Sequence, residues 1–257
     1  MVRQVNSFLE RLIHRRALTR WSDAAKDAEK FDLSTLKVLR GQARQIRRRL
    51  DQLTHVADGR LTLPLIGSNA MQRPLHSDWT YRPEIWRGPI TPVGLASVEN
   101  KTRFGQEATV FHDCATTELT LRQVRNTRES DLAPFGLRMD VFRFDGSFLS
   151  LVIDLPQTAV DGLKRKHLIR VQTIVEMEKP IEIFVRLNVR HGPNVEQIVR
   201  ELPLDEQDVV VEFDLAYSKL NEKRVDAAWI DMIFEGPEMN QITLRDVTLS
   251  RRPRAEI

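Results

Sequence analysis

This sequence predicts a mainly β fold, an antiparallel jelly-roll-type β-sandwich of about ten strands preceded by an N-terminal α-helical hairpin. Three observations carry that expectation. From about residue 107 the apolar residues recur with period two. Turn residues separate these runs at short intervals, with no helices alternating between them. Residues 1–60 hold 14 Lys/Arg against 7 Asp/Glu in a chain whose net charge is only +3, so composition changes near residue 60.

Residues 4–29 read as the first helix, because Phe8, Leu9, Leu12, Ile13, Leu18, Trp21 and Ala25 recur at helical spacing. Phe31 and Asp32 interrupt it, and Asp32 or Ser34 can cap the next helix, which runs to about Val56. There Leu36, Leu39, Ala43, Ile46, Leu50 and Leu53 form an apolar stripe beside Arg40, Arg44, Arg47, Arg48 and Arg49. Residues 1–57 are therefore expected to be a basic helical hairpin, its stripes facing each other or the main domain. The arginines Arg40, Arg44, Arg47 and Arg48 suit a protein partner or an anionic membrane surface, or simply a solvated face. No helix-turn-helix, zinc-finger or RNA-recognition signature is present, so no specific nucleic-acid motif is assigned.

Residues 58–105 are broken by Gly59, Pro64, Gly67, Pro74, Pro83, Gly88, Pro89, Pro92, Gly94 and Gly105, and read as an irregular strap. Trp79, Tyr81 and Trp86 lie close together there, interleaved with Arg82 and Glu84. Aromatic rings stack on the C–H faces of sugars while planar polar groups meet hydroxyls, so these residues are a candidate ligand platform. The competing reading is that the strap anchors itself by burying its aromatics.

Residues 106–257 are expected to form the sandwich, with strands at 107–114, 117–125, 136–143, 147–155, 167–178, 181–190, 195–201, 207–213, 229–235 and 241–250. The stretch Leu137–Leu155 reads as a hairpin around Asp145-Gly146. Parity selects a three-residue loop, Phe144-Asp145-Gly146, that pairs Val141 with Leu149, Met139 with Leu151 and Leu137 with Ile153. Its outward face would carry Arg138, Asp140, Phe142, Phe148, Ser150 and Val152. A second connection, Glu178-Lys179-Pro180, would join 167–178 to 181–190. Ile242 and Leu244 fall on one parity and Val247 and Leu249 on the other, which predicts a bulge near Arg245-Asp246. Short helical inserts fit at 157–165 and 215–226.

Further candidate ligand contacts are Asn188, Arg190, His191 and Asn194 in the polar connection around Gly192-Pro193, and outward Arg122 in the 122–128 strip. Turn chemistry and edge solvation explain the same residues without a ligand. His112-Asp113-Cys114 could place a thiol and an imidazole on one face, which admits a Cys114-dependent enzyme; a buried core cysteine is the plainer reading.

Composition excludes more than it assigns. One cysteine leaves no internal disulfide and no thiolate-rich metal site. No histidine pair at metal-ligand spacing, Gly-rich phosphate loop, dinucleotide fingerprint or Gly-x-Ser-x-Gly occurs, so catalytic residues, metals and cofactors are all expected to be none. The N-terminus lacks the apolar core of a signal peptide, and no apolar run reaches the roughly 18 residues of a membrane span. The expectation is a cytoplasmic protein, with a peripheral membrane location as a variant.

The run from Trp229 to Arg252 ends in Leu244-Arg245-Asp246-Val247-Thr248-Leu249-Ser250-Arg251 and resembles the closing strands of galactose-binding-like, carbohydrate-binding-module sandwiches. That resemblance implies the jelly roll and a glycan or other polar ligand, without carrying any ligand residue over. Gly67-Ser68-Asn69, Asp78-Trp79, Phe111-His112-Asp113-Cys114, Leu121 to Asn126 and Arg190 to Glu196 resemble an uncharacterised alphaproteobacterial family. The function expected is non-catalytic binding of a glycan or other polar ligand. A structural adaptor docking through the basic helices is the alternative.

Overall fold

The structure, a computed structural model, describes residues 8–62, 71, 73–128, 131–204 and 208–254. Residues 4–7 of the expected first helix and Gly67-Ser68-Asn69 lie outside the described residues. The chain divides into two compact units, Met1–His55 and Val56–Ile257.

Helix α1 (Phe8–Lys26) and helix α2 (Leu33–Thr62), which runs past the end of the first unit, flank a 3-10 turn at Ala28–Lys30. Asp32 caps α2: one carboxylate oxygen accepts from the backbone N–H of Ser34 at 2.9 Å and of Thr35 at 3.0 Å. The hydroxyls of Ser34 and Thr35, with these N–H groups, hold the Asp32 carboxyl well below the usual carboxylate range.

The second unit is a two-sheet sandwich. Its strands, among the described residues, are β1 (Trp79–Tyr81), β2 (Gly94–Ala96), β3 (Thr102–Phe104), β4 (Ala108–His112), β5 (Leu119–Arg125), β6 (Phe135–Val141), β7 (Leu149–Asp154), β8 (His167–Met177), β9 (Ile183–His191), β10 (Asn194–Glu201), β11 (Asp208–Asp214), β12 (Val225–Phe234) and β13 (Asn240–Pro253). The first sheet runs β11-β8-β13-β6-β5-β2, with β1 added to β13; the second runs β10-β9-β12-β7-β4-β3. The segment expected to be an irregular strap supplies β1, β2 and β3. Short helices occur at Glu84–Arg87 and Gln157–Val160, and a 3-10 turn at Leu215–Tyr217.

Both expected hairpins are corrected. Strand β6 pairs with β5 and β13, whereas β7 pairs with β4 and β12 in the other sheet. Strands β8 and β9 likewise belong to opposite sheets. The parity nevertheless stands: Leu137, Met139, Val141, Leu149, Leu151 and Ile153 are all buried in the shared core. They meet across the sandwich rather than side by side on one sheet. An odd connection keeps both strands' apolar faces inward in either arrangement, so parity cannot separate a hairpin from a sheet crossing.

Side chains hold the crossing in place. Asp113 accepts from the backbone N–H of Ser147 at 2.7 Å and of Phe148 at 3.3 Å, and Asp145 accepts from that of Ala115 at 3.1 Å. Glycine is needed at 146 for close approach, not for a left-handed backbone: a Cβ there would sit 2.5 Å from Asp113 Oδ1 and 2.9 Å from Cys114 Sγ. At the second crossing, Asn240 accepts from the N–H of Glu178 and Lys179 and donates to the carbonyl of Lys179 at 2.8 Å.

The bulge in β13 occurs where its parity slips, with the register against β8 shifting between Leu244 and Asp246. Side chains satisfy the carbonyls around it. Trp86 Nε1 donates to Leu244 O at 2.8 Å, Asn126 Nδ2 to Arg245 O at 2.8 Å, and Thr173 Oγ1 to Asp246 O at 2.9 Å. Asp246 itself takes a bidentate contact from buried Arg82, Nε to Oδ1 at 2.9 Å and Nη2 to Oδ2 at 2.8 Å. Burial nevertheless pushes the Asp246 carboxyl up, against the pull of Arg82.

Removing one partner of such a pair strands a buried charge. Arg82→Met should therefore lose about 3–5 kcal/mol in urea unfolding. The double variant Arg82→Met/Asp246→Leu should recover much of that loss, and a double variant as unstable as the single would contradict this account.

Candidate functional site

The outer face of the second sheet brings together residues from four adjacent strands. Ile233 of β12 lies opposite Phe184 of β9 and Ser150 of β7, and Ser150 lies opposite Phe111 of β4. One step along, Asp231 lies opposite Arg186 and Val152; a further step puts Trp229 opposite Asn188 and Asp154. Directly opposed residues share a face, so these rungs present Phe111, Ser150, Val152, Arg186, Trp229, Asp231 and Ile233 together. With Phe148 they line a groove of about 430 Å³.

The floor of that groove is polar and buried. Asp231 is only 2% exposed although it points away from the core. Arg186 donates to its Oδ2 from Nε at 2.7 Å and from Nη2 at 2.5 Å. Asp231 Oδ1 and Ser150 Oγ are buried and have no hydrogen-bond partner among the described residues. A buried polar atom left unpaired costs about 1–3 kcal/mol, so these two are unmet polar capacity at the base of the groove. Asn188 extends the floor: its Nδ2 donates to Arg186 O at 3.3 Å and its Oδ1 accepts from Gln197 Nε2 at 2.9 Å.

The walls are aromatic. Phe111 and Trp229 are half-buried and Phe148 is 42% exposed. Apolar ring faces beside fixed hydrogen-bonding groups are what a ligand with both apolar faces and hydroxyls requires.

The residues singled out from sequence are scattered. Trp86 is fully buried, and Arg82 is buried against Asp246. Trp79 and Tyr81 are half-buried and stacked, with ring centroids 5.9 Å apart. Trp79 Nε1 donates to Thr158 Oγ1 at 3.1 Å, and the Tyr81 hydroxyl donates to Glu107. Burial and Glu107 push the Tyr81 phenol up. Arg122 is exposed on β5, in the first sheet, opposite Gly94. Arg190 pairs with Asp226 at 3.0 Å; His191 is buried, its Nδ1 accepting from the Asn221 N–H at 3.4 Å; Asn194 is exposed where β10 begins. Of this set, only Asn188 adjoins the groove.

Sequence reasoning missed Arg186, Trp229 and Asp231 as site residues. A signal for Asp231 was present: it is a charged residue at an outward position between Trp229 and Ile233. Phe148, Ser150 and Val152, which the sequence places on one mixed outward face, all line the groove.

The His112-Asp113-Cys114 arrangement does not activate the thiol. His112 Nδ1 accepts from the Cys114 backbone N–H at 3.2 Å, and its Nε2 meets Val98 O at 2.9 Å. Burial pushes the Cys114 thiol up. Among the described residues, no group of three or more His, Cys, Asp or Glu is placed to hold a metal ion.

These features define a class, a two-sheet antiparallel sandwich with a groove on one outer face. The chain belongs to a family of unknown function, DUF6478, whose profile matches residues 1–257. No curated protein matches the sequence. Among solved structures, the fold is similar to the family 11 carbohydrate-binding module from Clostridium thermocellum in complex with a β-1,3-1,4-mixed-linked tetrasaccharide, at 14% identity and a TM-score of 0.39, covering 65% of this chain and 100% of that one. It is also similar to the CBM22-1 xylan-binding domain from Paenibacillus barcinonensis, at 6% identity and a TM-score of 0.37, over 71% of this chain and 100% of that one. A third likeness is to the enzymatically active domain of Bacteriophage CBA120 tailspike protein 4, at 6% identity and a TM-score of 0.40; it covers 55% of this chain but spans only 19% of the tailspike chain.

The raised Cys114 thiol sets an expectation for its chemistry. Maleimide modification of the folded protein should stay slow near neutral pH and accelerate only in the alkaline range. Rapid modification at neutral pH would show an activated thiolate instead.

Proposed function

We propose that the protein is a non-catalytic binder of a glycan or similar polyhydroxylated ligand, held in the groove on the outer face of the second sheet. The observation that carries this reading is one groove lined by the rings of Phe111, Phe148 and Trp229 together with the Arg186–Asp231 pair. A pyranose ring offers a C–H face to an aromatic wall and hydroxyl donors to a carboxylate. Arg186, already fixed on Asp231, has further N–H groups for a hydroxyl oxygen. Asn188 and Gln197 supply planar amides along the same face.

The geometry gives no support to chemistry at this site. Its carboxylate, Asp231, is bound to Arg186 and is, among the described residues, the one carboxylate that lines the groove. The cytoplasmic location expected from the sequence belongs to this proposal, and fractionation of cells making the full chain would test it.

Isothermal titration with mixed-linkage glucan, xylan and galactan oligosaccharides should reveal binding to at least one class. Trp229→Ala should then weaken it by roughly tenfold or more. Asp231→Asn, which keeps the shape, should weaken it by a similar factor. Trp79→Ala serves as the comparison: a loss there with none at Trp229 would move the site to the strap, and no binding across the panel would sink the proposal.

A further inference from the structure

We infer that helix α2 is a surface-binding element for anionic phospholipid membranes, with residues 36–53 lying in the headgroup plane. This is independent of the groove. At about 100° per residue, Leu36, Leu39, Ala43, Ile46, Leu50 and Leu53 fall within an arc of about 100°. Past the first turns this stripe is open: Ile46 is 41% exposed, Leu50 55% and Leu53 64%. Lys37, Arg40, Arg44, Arg47 and Arg48 occupy a second arc of similar width, centred about 120° away. An amphipathic helix with basic residues bordering its apolar face is the arrangement that lies in a membrane interface.

The charge pattern selects the occupant. Residues 36–53 contain six basic residues and a single acidic one, Asp51. A second copy of the helix packed along the stripe would set arginines against arginines. Nucleic acid would meet the arginines and leave Ile46, Leu50 and Leu53 in water. An anionic lipid surface takes both arcs, with phosphates on the guanidinium groups and acyl chains on the stripe. Among the described residues no helix is long and apolar enough to cross a membrane, so the inferred contact lies along the surface.

Vesicle co-sedimentation with the full-length protein tests this. Vesicles of phosphatidylcholine with about one-third phosphatidylserine should bind it, pure phosphatidylcholine vesicles should not, and binding should weaken as salt rises. Arg44→Gln and Arg48→Gln should each cost about fivefold. Leu50→Gln/Leu53→Gln should cost about tenfold or more, with an unchanged melting temperature for the sandwich. The inference is overturned if the protein ignores anionic vesicles, or if neutral vesicles bind it equally. It is also overturned if the double leucine variant binds as well as the parent, which would mean charge contact without insertion. Concentration-dependent self-association that the leucine variant abolishes, without vesicle binding, would instead assign the stripe to a second copy.

Discussion

The bulge in β13 is the constraint on which the rest of the sandwich depends. This strand runs through the middle of its sheet and pairs with β6, β8 and β1. A strand so long cannot keep one apolar face inward when its parity slips, unless an extra residue absorbs the slip. The extra residue opens the ladder at Leu244, Arg245 and Asp246, and their carbonyls then need donors. Trp86, Asn126 and Thr173 supply them, and Arg82 neutralises the carboxylate of Asp246. Arg245 is tied in turn to Asp131 at 2.6 Å. The segment before β2 is thereby fastened to the sheet by polar contacts to one irregularity as well as by burial of Ile85 and Trp86.

That fastening explains why the conspicuous aromatics of the strap read so readily as ligand contacts. Trp86, Arg82 and Tyr81 have the composition of a binding platform, rings beside planar polar groups. The same chemistry is what a chain without continuous secondary structure needs to satisfy a neighbouring backbone. Composition is common to both uses, and only burial separates them. In the groove, Asp231 Oδ1 and Ser150 Oγ are buried too, but they have no hydrogen-bond partner among the described residues.

The two units also differ in how they hold together. The sandwich buries a continuous core from both sheets, from Ile85 to Leu249. The helical unit presents Ile13, Leu18, Ile46 and Leu50 as exposed side chains, all above 40%. A helix of this kind gains little from its own unit and much from a surface that takes its apolar arc.

The sequence by itself determined the inward residues of β6, β7 and β13 and the bulge at Arg245-Asp246, and it narrowed the cap of α2 to Asp32 or Ser34. These are local properties: period two assigns a face, and a parity slip or an acidic residue before a helix needs no distant partner to be legible. The short strands β1, β2 and β3 were not legible, because three residues between prolines and glycines carry no periodicity. Only the tertiary structure decided that β6 and β7, and β8 and β9, cross between sheets, since an odd connection satisfies the same parity in a hairpin or a crossing. The groove has the same origin. Phe111, Ser150, Arg186 and Asp231 lie on four different strands, and their meeting depends on which strands pair, a non-local choice set by how two apolar faces close on each other.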